Sequence, residues 1–188
     1  MLEVPGGGIW NYLSKRLDGG SMGHKEHKAQ APSRVSCAAV TVSDTRTPET
    51  DTSGALIRKL LADHGHRIVS SHHVKDEPAE IQKLLGALSQ NPDVQSVILN
   101  GGTGISKRDG TYEAVVKLLD KQLDGFGELF RSLSYQEIGP AAMMSRAVAG
   151  TYGGKIVISI PGSEAAVRLA MEKLILPELG HLVREINR

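Results

Sequence analysis

The chain has 188 residues, of which 22 are basic and 21 acidic, for a formal net charge of +1. That length suits one domain with a full core rather than two. The near-zero charge, with 4% aromatic residues, excludes a nucleic-acid binder built on a broad basic face or on base-stacking platforms.

A single cysteine, Cys37, leaves no intramolecular disulfide and no thiolate zinc cluster; in its apolar run it reads as a small buried hydrophobe. No stretch reaches the roughly 18 apolar residues of a membrane helix. The N-terminus lacks a signal-peptide pattern, so the expectation is a cytoplasmic protein with no membrane partner.

Residues 1–33 carry two glycine clusters, at Gly6-Gly7-Gly8 and Gly19-Gly20, and a polar His24-Lys25-Glu26-His27-Lys28 stretch. This composition cannot offset its ordering entropy and predicts a flexible tail. Residues 34–188 are expected to form a single α/β domain. Val35–Val42 reads as a buried strand, and Thr52 or Ser53 can cap a helix with Leu56, Ile57, Leu60 and Leu61 on one face. Arg67–Val74 is a second strand, and Asp76-Glu77-Pro78 opens a helix striped by Ile81, Leu84, Leu85 and Leu88. Val94–Leu99 is a third strand, running into Asn100-Gly101-Gly102-Thr103-Gly104.

Helices are expected over Thr111–Leu119 and over Asp124–Glu137, the latter with Phe126, Leu129, Phe130 and Leu133 inward. Arg146–Tyr152 and Lys155–Ile160 flank Gly153-Gly154, a hairpin signal. Pro161-Gly162-Ser163 starts another helix, and Pro177 begins or kinks a last one. The order predicts a three-layer α/β/α fold on a mostly parallel mixed sheet with a late β-hairpin.

Ligands of open parallel sheets bind where strand C-termini feed helix N-termini. Four loops hold such places: Ser43-Asp44-Thr45, Val74-Lys75-Asp76-Glu77, Gly101-Gly102-Thr103-Gly104 and Pro161-Gly162-Ser163. The glycine loop lets backbone amides approach an anion. It is not a Walker A loop, having no Gly-Lys-Ser/Thr, nor a dinucleotide fingerprint, since the third glycine is missing; taken alone it also fits a tight turn. Lys107, Arg108 and Asp109 follow it, a mixture suited to an anion plus a metal ion. Magnesium takes one or two carboxylates plus phosphate oxygens and water, which makes Asp76 and Asp109 candidates; a helix cap and a solvated loop charge are the plainer readings. Asp44 equally fits a turn, and His72 and His73 point to opposite faces of their strand.

Together these motifs resemble the MogA/MoaB family of molybdenum-cofactor biosynthesis, the MoaB branch most closely. The residues that carry it are Val42-Ser43-Asp44, Asp51-Thr52-Ser53-Gly54, Asp76-Glu77, Asn100–Gly104 and Lys107–Ala114. Gly125-Phe126-Gly127-Glu128, Ser145-Arg146-Ala147 and Pro161-Gly162-Ser163 complete the set. The resemblance implies the molybdopterin-binding fold and Mg2+-dependent transfer of AMP from ATP to molybdopterin, with release of pyrophosphate. It implies that Asp76 and Asp109 are catalytic and hold Mg2+. Gly101, Gly102, Thr103 and Gly104 would cradle phosphates, and Ser43, Asp44, Pro161, Gly162 and Ser163 would line the nucleotide or pterin pocket. Lys107 or Arg108 would offset charge on the leaving group. Homotrimers or homohexamers and a hand-over to a molybdate-insertion protein follow from the same resemblance. Two rival functions stay open: an oligomer of the same pathway that holds pterin or nucleotide without turnover, and a phosphate-site hydrolase of unrelated metabolism.

Overall fold

The computed structural model of the protein describes residues 31–188. The expectations for the tail, including His24 and His27, fall outside those residues except at positions 31–33. Pro32–Arg188 forms one compact unit.

Strand β1 (Ser36–Val42) alternates side chains between two apolar layers, with Cys37 and Ala39 on one face and Ala38, Val40 and Val42 on the other. It pairs in parallel with β2 (Arg67–Val74) and β3 (Ser96–Asn100), and β3 pairs in parallel with β6 (Lys155–Ile160). The late hairpin is present: β5 (Val148–Tyr152) runs antiparallel to β6, and a two-residue β4 (Lys121–Gln122) runs antiparallel to β5. The sheet order is β2-β1-β3-β6-β5-β4. This is the mixed, mostly parallel sheet expected.

Helices cover both faces, as continuously apolar parallel strands require. On the first face lie α1 (Thr52–Asp63), α4 (Asp124–Ile138) and the C-terminal helices, packed through Ile57, Leu61, Phe130, Val167 and Leu179 on Ile98, Ile156, Ile158 and Ile160. On the second, α2 (Pro78–Gln90) and α3 (Thr111–Val116) bring Ile81, Leu85, Leu88 and Val115 onto Val40, Val97, Leu99 and Val157.

Several local expectations need correction. The first helix is capped by Asp51, whose carboxylate accepts from Gly54 N at 2.9 Å, not by Thr52 or Ser53. Helix α3 ends at Val116 rather than Leu119. Leu129 points outward at 56% exposure, while Phe130 is fully buried. A 3-10 turn over Gly139–Met144 follows α4. Pro177 stands in the first turn of the last α-helix, as expected, although that helix is continuous with the one before it. Helix α5 (Glu164–Ala170) passes through a π-turn (Met171–Ile175) into α6 (Leu176–Ile186). Proline lacks the N–H for that ladder and its ring crowds the preceding turn, so the wide turn sits where the proline needs it. No helix among the described residues is long and apolar enough to cross a membrane.

Candidate active site

The four loops singled out above all leave the C-terminal ends of parallel strands β1, β2, β3 and β6, so they share one rim. The chain leaves β1 for β2 on one side and returns to β3 on the other. The sheet's topological switch therefore lies between β1 and β3, where such folds open a crevice. A cavity of about 450 Å³ occupies it. Ser43, Gly101, Gly102, Thr103, Gly104, Asp109, Pro161 and Gly162 line it, together with Arg46 and Ser145, which sequence reasoning had not assigned to a site.

Glycine is required twice at the floor of this cavity. Gly101 has φ +104° and would drive a Cβ into the Val42 carbonyl. Gly102 has φ +64°, and its Cβ would collide with the Asp76 carboxylate and the Thr111 hydroxyl. Among the described residues no protein acceptor takes the amides of Gly102, Thr103 or Gly104. Arg146 holds the loop from behind: Nε donates to the Thr103 carbonyl at 2.8 Å, Nη2 to the Gly104 carbonyl, and Nη1 to Glu113, with the guanidinium 4.7 Å from the Tyr112 ring centre. Peptide C=O and N–H groups point in opposite directions, so the amides of Gly104 and Ile105 lie on the side away from Arg146.

The two candidate acids occupy different settings. Asp109 lines the cavity, and its Oδ2 accepts from Ser106 N at 3.0 Å. Asp76 is 5% exposed and does not line it. Its Oδ1 accepts from Thr111 Oγ1 at 3.0 Å and Gly110 N at 3.2 Å, tying down the start of α3 rather than capping α2, where Glu77 stands at the N-cap. Burial pushes the Asp76 carboxyl up; the bonds from Thr111 and Gly110 oppose this, and the charges of Asp109 and Asp44 add to it. Both acids border the glycine loop. A Cβ on Gly102 would meet Asp76 Oδ2, and one on Gly104 would come within 2.6 Å of Asp109 Oδ2. Among the described residues no group of three or more His, Cys, Asp or Glu forms a closed metal cage.

The expected cations lie elsewhere. Lys107 is exposed and off the cavity. Arg108 does not line the cavity either: its Nε and Nη2 donate to both oxygens of Asp44 (2.6 and 2.9 Å) and its Nη1 to Glu77 (2.7 Å). That bond from Arg108 holds the Asp44 carboxyl below its usual range despite some burial, and Asp44 also accepts from Asp76 N at 3.2 Å. Asp44 is thus a strut between loops and does not line the cavity. Ser163 caps α5 through a 3.3 Å bond from Ala166 N and likewise stands outside it.

The cation that does line the cavity is Arg46. It rests on a buried polar cluster around Asp51, which is 2% exposed. Asp51 accepts from Thr41 Oγ1 (2.7 Å) and Gly54 N (2.9 Å) and meets His73 Nε2 at 2.9 Å. Ser53 bonds Asp51 at 3.3 Å and accepts from Asn100 Nδ2 at 3.0 Å. Burial alone would raise the Asp51 carboxyl, but the bonds from Thr41, Gly54 and His73 outweigh it and hold it low. An arginine in a polar loop carries no motif, which is why periodicity and spacing passed over Arg46.

Residues 38–181 match the family model described as "Probable molybdopterin binding domain". The chain is 57% identical over 164 residues to Molybdenum cofactor biosynthesis protein B of Bacillus cereus, covering 87% of this chain and 97% of that one. A crystal structure of Molybdenum cofactor biosynthesis protein B superposes with a TM-score of 0.82 at 57% identity, over 85% of this chain and 99% of the other. The tungsten cofactor synthesizing protein MoaB from Pyrococcus furiosus gives 0.74 at 35% identity, over 84% and 100%.

Proposed function

The chain belongs to the molybdopterin-binding family of molybdenum-cofactor biosynthesis, and from that premise we propose that it transfers AMP from ATP to molybdopterin. The cavity at the β1–β3 switch carries this reading: amides of a glycine loop without protein acceptors border it, and the Asp109 carboxylate stands beside them. In the reaction a phosphate oxygen of molybdopterin bonds to the α-phosphorus of ATP as the bond to pyrophosphate breaks. Phosphoryl-type transfer asks the protein mainly for position and charge. Gly101–Gly104 cradle the phosphates, while Ser43, Pro161 and Gly162 shape the pocket wall. Arg146 fixes the loop by holding its carbonyls, so its amides need no reordering when an anion arrives.

Asp109, with Asp76 behind Gly102, fits Mg2+, which asks for one or two carboxylates rather than a full cage. Mg2+ would supply neutralisation of charge on the phosphates when bound. Cytosolic work and a hand-over of adenylylated molybdopterin to a molybdate-insertion protein belong to the same reading, as does self-association into trimers or hexamers. The exposed Leu129, Tyr135, Ile138 and Met143 on α4 and the 3-10 turn support the last of these.

The experiment is incubation of the full chain with ATP, Mg2+ and molybdopterin, following pyrophosphate release. Asp109→Asn is expected to lower the rate by about 10²–10³ with an unchanged melting temperature; undiminished release would end the assignment. The burial of Asp76 and its bonds to Gly110 and Thr111 favour one alternative, a holder of pterin or nucleotide without turnover. Binding with no pyrophosphate released by the wild-type chain would establish that instead.

A further inference from the structure

We infer that Arg46 is the residue that grips a phosphoryl oxyanion in the cavity, through the Nε–Nη2 edge of its guanidinium. Its Nη1 donates to the Gly162 carbonyl at 3.0 Å and to Ser53 Oγ, and stands 3.9 Å from Asp51 Oδ1. Those two bonds occupy both Nη1 hydrogens and fix the plane of the group. Among the described residues Nε and Nη2 have no protein partner. A guanidinium carries five donors, and the Nε–Nη2 edge matches two oxygens of one phosphate. Arg108 shows the same edge at work, where Nε and Nη2 take both oxygens of Asp44. Arg46 lines the glycine-loop cavity, and no carboxylate is bonded to its Nε or Nη2.

The surroundings separate Arg46 from the other cations. Arg108 is satisfied by Asp44 and Glu77, Arg146 by Glu113 and two loop carbonyls, and Lys107 is exposed and off the cavity. Behind Arg46, Asp51 supplies a buried counter-charge that is itself tied to β1, α1 and β2 through Thr41, Gly54 and His73. The anchor therefore stays in place when the outer edge takes a ligand. Phosphate is favoured over carboxylate because the loop amides on the same cavity suit an anion with several oxygens. The inference rests on the cavity being the phosphate site, and it does not require turnover there.

Calorimetric titration of the full chain with inorganic pyrophosphate and, separately, with AMP tests this. Arg46→Gln is expected to weaken one or both by about tenfold to hundredfold. Loss confined to AMP would put the guanidinium on the transferred phosphate, and loss confined to pyrophosphate would put it on the leaving group; either supports the inference. Arg46→Lys should recover only part, because an ammonium cannot hold its anchor and two ligand oxygens at once. Lys83→Gln, on the exposed side of α2, should stay within about twofold, which separates a local contact from net charge. Should Arg46→Gln melt early, Arg46→Lys decides. Wild-type affinity in Arg46→Gln or full recovery in Arg46→Lys overturns the inference, as does a wild-type chain that binds neither probe. A wild-type chain that binds both yet releases no pyrophosphate from ATP and molybdopterin would remove the transferase reading and leave Arg46 standing.

Discussion

Burial raises the cost of charge at both Asp51 and Asp76, but the hydrogen bonds around Asp51 reverse the outcome there. A depressed carboxyl contributes stability above its unfolded pKa and loses it as pH falls through the folded value. A raised one favours the protonated form, so its contribution is lost as pH climbs through the folded value. Melting curves from about pH 3.5 to 7, bracketing the usual Asp range, should therefore diverge in sign. Asp51→Asn should fall further behind wild type as pH rises, while Asp76→Asn should gain on it. Parallel slopes would show that the two environments are equivalent. Cys37 is simpler: burial pushes its thiol up to about 12. At pH 8 iodoacetamide should leave the native chain unmodified and label it only in denaturant.

At the scale of elements, what local pattern determines was legible and what distant partners determine was not. Lys155–Ile160 is a short, β-branched, mostly apolar run beside Gly153-Gly154, so strand and turn follow from sequence. Lys121–Gln122 is a strand only because β5 is there to receive it. Gly101–Gly104, Asp109, Ser43, Pro161 and Gly162, singled out from their loops, all line the cavity. Arg108 was visible as a cation, yet it is bound by Asp44, 64 residues away, and does not line the cavity. Arg146 stands inside a recognisable stretch, but its hold on two loop carbonyls is a tertiary fact. Arg146→Ala strands those carbonyls and frees Glu113, so it should cost about 1–3 kcal/mol in urea unfolding and weaken ATP binding. An unchanged affinity would show that the loop keeps its shape unaided.

At the scale of the whole fold, the large exposed apolar side chains among the described residues, Ile105 apart, lie on α4 and the segments that flank it. Tyr135 is 60% and Met143 79% exposed, and both line a second hollow of about 520 Å³. Light scattering on the wild-type chain should give three or six times 20.1 kDa, and Tyr135→Lys with Met143→Lys should return it to one. A variant that stays assembled would move the interface elsewhere.

Arg46, Arg108 and Arg146 each reach from one segment of the rim to another, joining stretches that follow or precede five different strands. With these straps fastened, the mouth of the crevice has its outline before any guest arrives. Less motion is left to freeze on capture, which favours affinity. On the proposed function these straps also select by refusal: a pterin or nucleotide of the wrong contour would have to break a charged strap to enter.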